Sequence, residues 1–257
     1  MGGGPESYFA WNKVVDGEVS GTVGYTPTDK VDDALAWLDD RGDEPWLLWL
    51  AFSLGHTPLH LPPPESWQSD YSEFDPGAAP ERHWVAYFNA MVEAMDTEIA
   101  RLLGSLEPEV RDNTYVIFIG DNGTYDPVVS APFRHGRAKG TIYEGGVNVP
   151  LIVSGPGIEG GSVSEALVNS ADLFATILEM AGVDPKTAVP EGVTIDSVSF
   201  SASLTDPAGP SAREWLYADE FFGGFDGVEG ADYAMRNHRY KLLRFEGVEE
   251  FYDLEAD

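Results

Sequence analysis

Apolar residues in this chain fall into helical stripes and short unbroken runs, and the alternation of the two predicts an α/β architecture. Behind Thr28, the residues Val31, Ala34, Leu35 and Leu38 recur at i, i+3, i+4 and i+7. That spacing predicts an amphipathic helix, capped by the Thr28 hydroxyl and led by Asp29 in its first turn. The run Trp46-Leu47-Leu48-Trp49-Leu50-Ala51-Phe52 is continuous rather than alternating, the pattern of a strand buried on both faces. The longest stripe follows: Trp84, Phe88, Met91, Met95, Ile99, Leu102 and Leu106 share one face of a helix running to Leu106.

Tyr115–Ile119 then reads as a second buried strand and Pro150–Val153 as a third. Strand, long helix, strand predicts a βαβ unit, with residues 46–52 and 115–119 parallel and joined by a right-handed crossover. Ser170 is placed to cap a further helix through Leu173, Ile177 and Met180, closed by Gly182. After about residue 205 the texture changes to short β-prone pieces (Trp215–Tyr217, Ala234–Arg236, Tyr240–Phe245) between Gly-rich turns. Residues 1–205 are therefore expected to belong to an α/β core and residues 206–257 to a small antiparallel subdomain.

Composition narrows the function classes. The 257 residues carry 44 acids and 15 bases, a net charge of −29. That balance excludes a nucleic-acid partner, which needs cations to displace phosphate counterions, and an anionic membrane surface for the same reason. There is no cysteine, so disulfides, thiolate metal sites and thiol nucleophiles are excluded. The apolar run at 46–52 is too short to span a bilayer. Met1–Glu6 has neither the positive nor the apolar region of a signal peptide. The chain stops at Asp257 directly after an aromatic segment, and both ends read as cuts through a longer protein.

Against this acidic background Arg134, Arg137 and Lys139 fall close together, with His135 among them. Such a cluster marks either an anion site or a solvated basic loop. Ligands of open α/β sheets gather at the carboxyl ends of strands, and two segments leave such ends here. Gly120-Asp121-Asn122-Gly123 offers two adjacent hard oxygen donors, Asp121 and Asn122, suited to Ca²⁺ or Mg²⁺ but needing further carboxylates to fill a shell. Asp-Asn-Gly is equally an ordinary turn sequence. In the other segment His56 is a candidate for protonating a leaving group or binding an anion, or for a structural role in a Pro-rich loop.

Taken together these stretches resemble the C-terminal half of a type I sulfatase, of the alkaline-phosphatase superfamily. The matching runs occur in family order: Pro45–Phe52 leading into His56-Thr57-Pro58, Met95-Asp96, and Gly120–Gly123. Next come Lys139-Gly140-Thr141-Ile142-Tyr143-Glu144-Gly145-Gly146, Val149–Val153, Asp172-Leu173-Phe174, Tyr240-Lys241-Leu242 and Phe251-Tyr252-Asp253-Leu254. The resemblance implies an alkaline-phosphatase-like, mainly parallel sheet flanked by helices, with a C-terminal antiparallel subdomain, in an enzyme that hydrolyses sulfate monoesters of small molecules or glycans. It implies Asp121 and Asn122 as calcium ligands, Lys139 as a sulfate contact and His56 as the histidine that serves the departing alkoxide. Two extra residues between Gly136 and Lys139 make Arg137 a second candidate for the sulfate contact.

The family's nucleophile is a formylglycine made in a Cys/Ser-x-Pro-x-Arg motif, which is expected outside this chain, before residue 1. Ser130-Ala131-Pro132-Phe133-Arg134 fits that pattern. It lies after the metal pair, however, and is assigned to the loop that delivers the lysine. A periplasmic or extracellular location is the family's usual one. Two other readings compete: a phosphodiesterase or phosphonate monoester hydrolase of the same superfamily, and a non-catalytic fragment that binds anions.

Overall fold

The computed structural model describes residues 7–74, 83–220 and 232–256. Met1–Glu6 and Asp257, where the chain ends were read, lie outside the described residues. The chain divides into two compact units, residues 1–112 and 113–257.

The first unit opens with a hairpin that the hydrophobic pattern did not predict. Strands β1 (Ala10–Val15) and β2 (Glu18–Val23) pair antiparallel from Ala10↔Val23 to Val15↔Glu18. Their two-residue turn, Asp16-Gly17, has positive φ at both positions (50° and 85°). Asp-Gly is the dipeptide that such a turn favours, because its twist matches that of the strands.

Helix α1 (Thr26–Asp39) forms where expected and buries Val31 and Ala34. The expected cap is corrected: the N-cap is Tyr25, without a side-chain cap bond. Thr28 instead donates from its hydroxyl to Glu98 Oε1 at 2.6 Å. Helix α2 (Trp84–Gly104) stops before Leu106, and its most buried side chains are Tyr87, Ala90, Met91, Ala94 and Glu98. The predicted stripe is therefore only partly the contact face, which rotates toward Glu98. That carboxylate is acceptable inside because Thr28 and Arg101 both donate to it. A one-turn helix, α3 (Pro108–Asp112), closes the unit.

Residues 46–52 correct a second expectation. They form no strand, and Leu47 and Trp49 are 65% and 70% exposed. A continuous apolar run becomes a buried strand only when neighbouring strands take up its backbone groups. Among the described residues none pairs with it.

In the second unit β3 (Val116–Ile119) pairs with β4 (Leu151–Ser154), in register from Val116↔Ser154 to Ile119↔Leu151. The pairing is antiparallel, so the parallel βαβ unit expected of residues 46–52 and 115–119 is not formed. Every strand pairing among the described residues is antiparallel. Between these two strands lies the single turn α4 (Glu144–Val147).

Helix α5 (Asp172–Met180) starts from Ala171 rather than from the predicted Ser170 cap. It is closed as predicted by Gly182, at φ 74°. Asp172, only 1% exposed, accepts from Arg213 Nε at 2.7 Å and from the backbone N–H groups of Asn169 and Val198 at 2.9 Å each. These donors satisfy a charge that would otherwise not stay buried. The short helix α6 (Ser201–Thr205) follows.

The C-terminal antiparallel sheet is present, in the order β5 (Leu216–Glu220), β6 (Asp232–Arg236), β7 (Tyr240–Phe245) and β8 (Val248–Asp253). β7 and β8 turn on Glu246-Gly247, again with two positive φ angles. Strand β8 was missed as an element because its polar residues Glu249 and Glu250 interrupt the apolar pattern.

One carboxylate of the first unit gives a stability test. Glu93 accepts from the backbone N–H groups of Gln68 and Ser69 and from the hydroxyls of Ser69 and Tyr71. Burial acts to raise its carboxyl, but these donors overcome it and bring it down to about 2. A group depressed in the folded state stabilises fully above its ordinary value and loses that contribution as pH falls toward the folded one. Wild type should therefore unfold at a higher temperature than Glu93→Gln at pH 7, with the gap narrowing from pH 5 to pH 3. A gap that stays constant over that window would contradict this role.

Candidate functional site

The site in the second unit is built on backbone contacts between two loops. Strand β3 delivers Gly120-Asp121-Asn122-Gly123 at its carboxyl end, and β4 is preceded by the segment from Arg134 to Pro150. Gly120 N–H donates to the Pro150 carbonyl at 3.1 Å, Gly123 N–H to Gly146 at 2.8 Å, and Lys139 N–H to Thr124 at 3.0 Å. These bonds tie the Asp121–Asn122 turn to the segment bearing Lys139.

The approach is too close for side chains. A Cβ on Gly123 would lie 1.9 Å from the Gly145 carbonyl oxygen, one on Gly145 2.3 Å from that of Arg137, and one on Gly146 1.9 Å from that of Thr141. Glycine is required here for space, a role distinct from turn-making.

Asp121 and Asn122 are both exposed, and both of Asp121's oxygens accept from Asn122, from its N–H at 2.9 Å and its Nδ2 at 2.7 Å. The two line part of a cleft of about 1210 Å³ that also includes Gly140, Thr141 and Lys241. As donors they suit a hard cation, since a carboxylate and an amide carbonyl are the oxygens that Ca²⁺ and Mg²⁺ select. No group of three or more His, Asp or Glu among the described residues could by itself hold a metal ion. The pair offers two of the roughly six to eight oxygens that a Ca²⁺ shell takes.

The structure separates the two candidate cations. Arg137 lies over the ring of Tyr143, at 4.4 Å from its centroid, and within 3.8 Å of Glu250. Its charge is already engaged. Lys139 is exposed, and its side chain has no partner among the described residues. His135 faces Asp126 at 3.3 Å. Arg134 and Lys139 are thus the cations of the cluster whose charges are left for a ligand, and Lys139 is the one whose own backbone N–H is bonded to the loop that follows Asp121 and Asn122.

Below Lys139 the chain is anchored in the C-terminal sheet. Ile142 and Tyr143 pack with Ala234 and Leu243, against Phe245 and Tyr252. The Tyr143 hydroxyl donates to Glu250 at 2.8 Å. Burial, with Glu250 beside it, raises the Tyr143 hydroxyl to about 12, so it stays a neutral donor.

Glu144 accepts from Lys241 Nζ at 2.7 Å and from Arg236 Nη1 at 2.8 Å, and the same Lys241 ammonium donates to the Ile142 carbonyl at 2.8 Å. Lys241 is 2% exposed. Burial lowers its pKa despite the favourable Glu144 charge. Burial would raise Glu144, yet Lys241 and Arg236 hold it below the ordinary carboxylate value. Sequence reading missed this cluster. The signal was available: Lys241 shares the inward side of β7 with Leu243, and a lysine at a core position of an alternating strand calls for a partner.

His56 lies in the first unit and is exposed. Its Nδ1–H donates to the Thr57 carbonyl at 2.8 Å, which leaves Nε2 as the nitrogen available for chemistry. The loop is held by Tyr8, a second residue missed in the sequence, whose hydroxyl bonds the carbonyls of Ser53 and His56. Lys30 donates to the Ala51 carbonyl and to Ser53 Oγ. His60 is structural: it donates from Nδ1 to the Pro58 carbonyl, accepts at Nε2 from Tyr25, and is lowered by burial.

The sulfatase family model matches residues 4–183, and the model for the C-terminal region of N-sulphoglucosamine sulphohydrolase matches residues 135–257. A sulfatase of Formosa agariphila is 34% identical over 192 residues, covering 66% of this chain and 33% of that protein. The chain spans about a third of the length of the curated relatives it matches.

The structure of Ps i-CgsB in complex with k-i-k-neocarrahexaose aligns with a TM-score of 0.75 at 22% identity, over 94% of this chain and 51% of that one. A second structure, in complex with its substrate D-glucosamine-2-N,6-O-disulfate, aligns with a TM-score of 0.66 at 21% identity, over 97% and 67%. At these identities the likeness establishes the fold, and it bears out the alkaline-phosphatase-like α/β class.

The glycine contacts predict an asymmetry between two neighbouring positions. At Gly140, with φ 83° and nothing within 4 Å of an added Cβ, alanine should cost only the left-handed backbone strain of about 1–2 kcal/mol. At Gly146 the added methyl meets a carbonyl oxygen that cannot rotate away, so Gly146→Ala should lower the melting temperature of the 257-residue chain markedly more than Gly140→Ala. Equal losses from both, measured by thermal unfolding, would mean that the two loops do not need this close approach.

Proposed function

The chain belongs to the sulfatase family, and from that membership we propose that it carries the sulfate-contacting lysine and part of the metal site of an enzyme that hydrolyses sulfate monoesters. The observation that carries this reading is the exposed, unpartnered Lys139 beside an engaged Arg137, on a segment hydrogen-bonded to the Asp121–Asn122 loop.

Asp121 and Asn122 would hold a divalent cation, Ca²⁺ or Mg²⁺, together with acidic ligands from elsewhere in the protein. A cation bound there supplies Lewis-acid polarisation of the sulfuryl oxygens. The nucleophile that the family resemblance implies, a formylglycine, would come from a part of the protein outside residues 1–257.

This chain's own residues supply charge and a proton. The Lys139 ammonium donates to sulfuryl oxygens, and a fixed cation in a site from which water is excluded acts most strongly on the transition state. The role that the family resemblance gives His56 is to pass its Nε2 proton to the alcohol oxygen as the S–O bond to that oxygen breaks. The Nδ1–Thr57 bond keeps the other ring nitrogen out of the exchange. The substrate class is a sulfate ester of a sugar or a small aromatic alcohol. The glycan and glucosamine disulfate held by the two structural neighbours support the sugar. In the same reading calcium is the family's usual ion, and the enzyme acts in the periplasm or outside the cell.

In the full-length protein, Lys139→Ala should lower kcat/KM for an aryl sulfate by roughly 10²-fold or more, the scale of losing one electrostatic stabiliser. Arg137→Ala should cost much less. The reverse order would move the sulfate contact to Arg137. Preferred turnover of a phosphodiester or phosphonate monoester would replace the sulfatase reading with its relative in the superfamily, and no effect of either variant would remove the anion site.

A further inference from the structure

Three buried ionic clusters of the described residues stand apart from the residues assigned above: Glu98 with Thr28 and Arg101, Asp172 with Arg213, and Glu144 with Lys241 and Arg236. The first ties α1 to α2, and the second ties the start of α5 to Val198 and Arg213. The third alone sits on the segment that carries Lys139, and its geometry is not what simple anchoring requires. Ile142 and Tyr143 already bury that segment in the sheet. Adding a buried ion pair to an apolar anchor gives little net stability, because desolvation cancels much of the attraction. What it adds is direction.

One ammonium, Lys241 Nζ, holds both the Ile142 carbonyl and Glu144 Oε1, and Arg236 holds the other carboxylate oxygen. The path from this clamp back to Lys139 is short and is hydrogen-bonded at Thr141 and Lys139. The Thr141 hydroxyl donates to the Ala138 carbonyl at 2.8 Å, Ala138 is itself buried, and Lys139 N–H is fixed to Thr124. Within this stretch the Lys139 side chain has no protein partner among the described residues, so the backbone alone sets where it starts and how far its ammonium can reach.

Given Lys139 as the sulfuryl contact, the reading on which this rests, we infer that Glu144, clamped by Lys241 and Arg236, is a positioning residue that sets the reach of Lys139 toward the sulfate. The C-terminal sheet then tunes catalysis through the clamp, without touching the substrate. A site of this kind tolerates little displacement, since a reacting group misplaced by about 1 Å can lose two orders of magnitude in rate.

A double-mutant cycle in the full-length protein tests it. Glu144→Asp keeps both charges and withdraws the carboxylate by one methylene. It should lower kcat by about tenfold per folded molecule and weaken inhibition by inorganic sulfate. In a Lys139→Ala background the same change should have almost no further effect, because the group it positions is gone. A second variant, Glu144→Gln with Lys241→Met, removes the buried ammonium together with its carboxylate and leaves only the partly exposed Arg236 without its partner, and should behave in the same way.

A merely structural clamp gives a different pattern. The folded fraction falls, but kcat per folded molecule and sulfate inhibition stay at wild-type values, or the losses add fully to that of Lys139→Ala. Either result overturns the inference while leaving Lys139 in place. If Lys139→Ala itself costs nothing, the functional reading fails first, and the two failures are distinguishable.

Discussion

A lysine ammonium taken out of water must find a counter-charge or lose its proton, and the second unit is organised around how Lys241 meets that demand. Its partner, Glu144, comes from a segment almost a hundred residues earlier in the chain. The pair therefore fastens the loop before β4 to strand β7, and Arg236 on β6 doubles the fastening. Removing one member would strand the other, at a cost of about 3–5 kcal/mol. With Glu144 fixed, Tyr143 has its hydroxyl on Glu250 and its ring in the sheet core, and the Arg137 guanidinium has a ring to lie on. Lys139 is then left facing solvent with its charge unspent, as is Arg134 earlier in the same loop.

The glycines answer a second constraint. An anionic turn and a cationic loop can share one site only if their backbones approach closely, and side chains at Gly123, Gly145 or Gly146 would hold them apart. The run from Lys139 to Gly146 thus divides by physical role. Lys139 is presented to solvent, as the proposed sulfate contact would be, Ile142 and Tyr143 enter the core, Glu144 takes the clamp, and the last two residues clear space. The same division between presentation and support recurs in the first unit, where Tyr8 and Lys30 hold the loop and His56 remains exposed with Nε2 available.

Much of this was legible in the sequence where it depended on local pattern. The stripes at 31–38 and 84–102 became α1 and α2, Gly182 ended α5, and the change in texture after residue 205 became the antiparallel sheet. Expectations failed where distant partners decide. Thr28 left its cap position because Glu98, seventy residues away, offered its hydroxyl a buried acceptor. Residues 46–52 looked like a buried strand, but apolar character does not supply the neighbours a strand needs. Among the candidate residues, Asp121, Asn122, His56 and Lys139 were visible as types, in the order that the family resemblance implies. The clamp was not, because nothing within a few residues of Lys241 announces that its partner is Glu144.

The most direct measurement is a crystal structure of the full-length protein with inorganic sulfate bound. The account predicts Lys139 Nζ within about 3 Å of a sulfate oxygen, Arg137 still against Tyr143, and Glu144 still held by Lys241 and Arg236. Sulfate held by Arg137 with Lys139 pointing away, or sulfate remote from both the Asp121–Asn122 turn and Lys139, would contradict it.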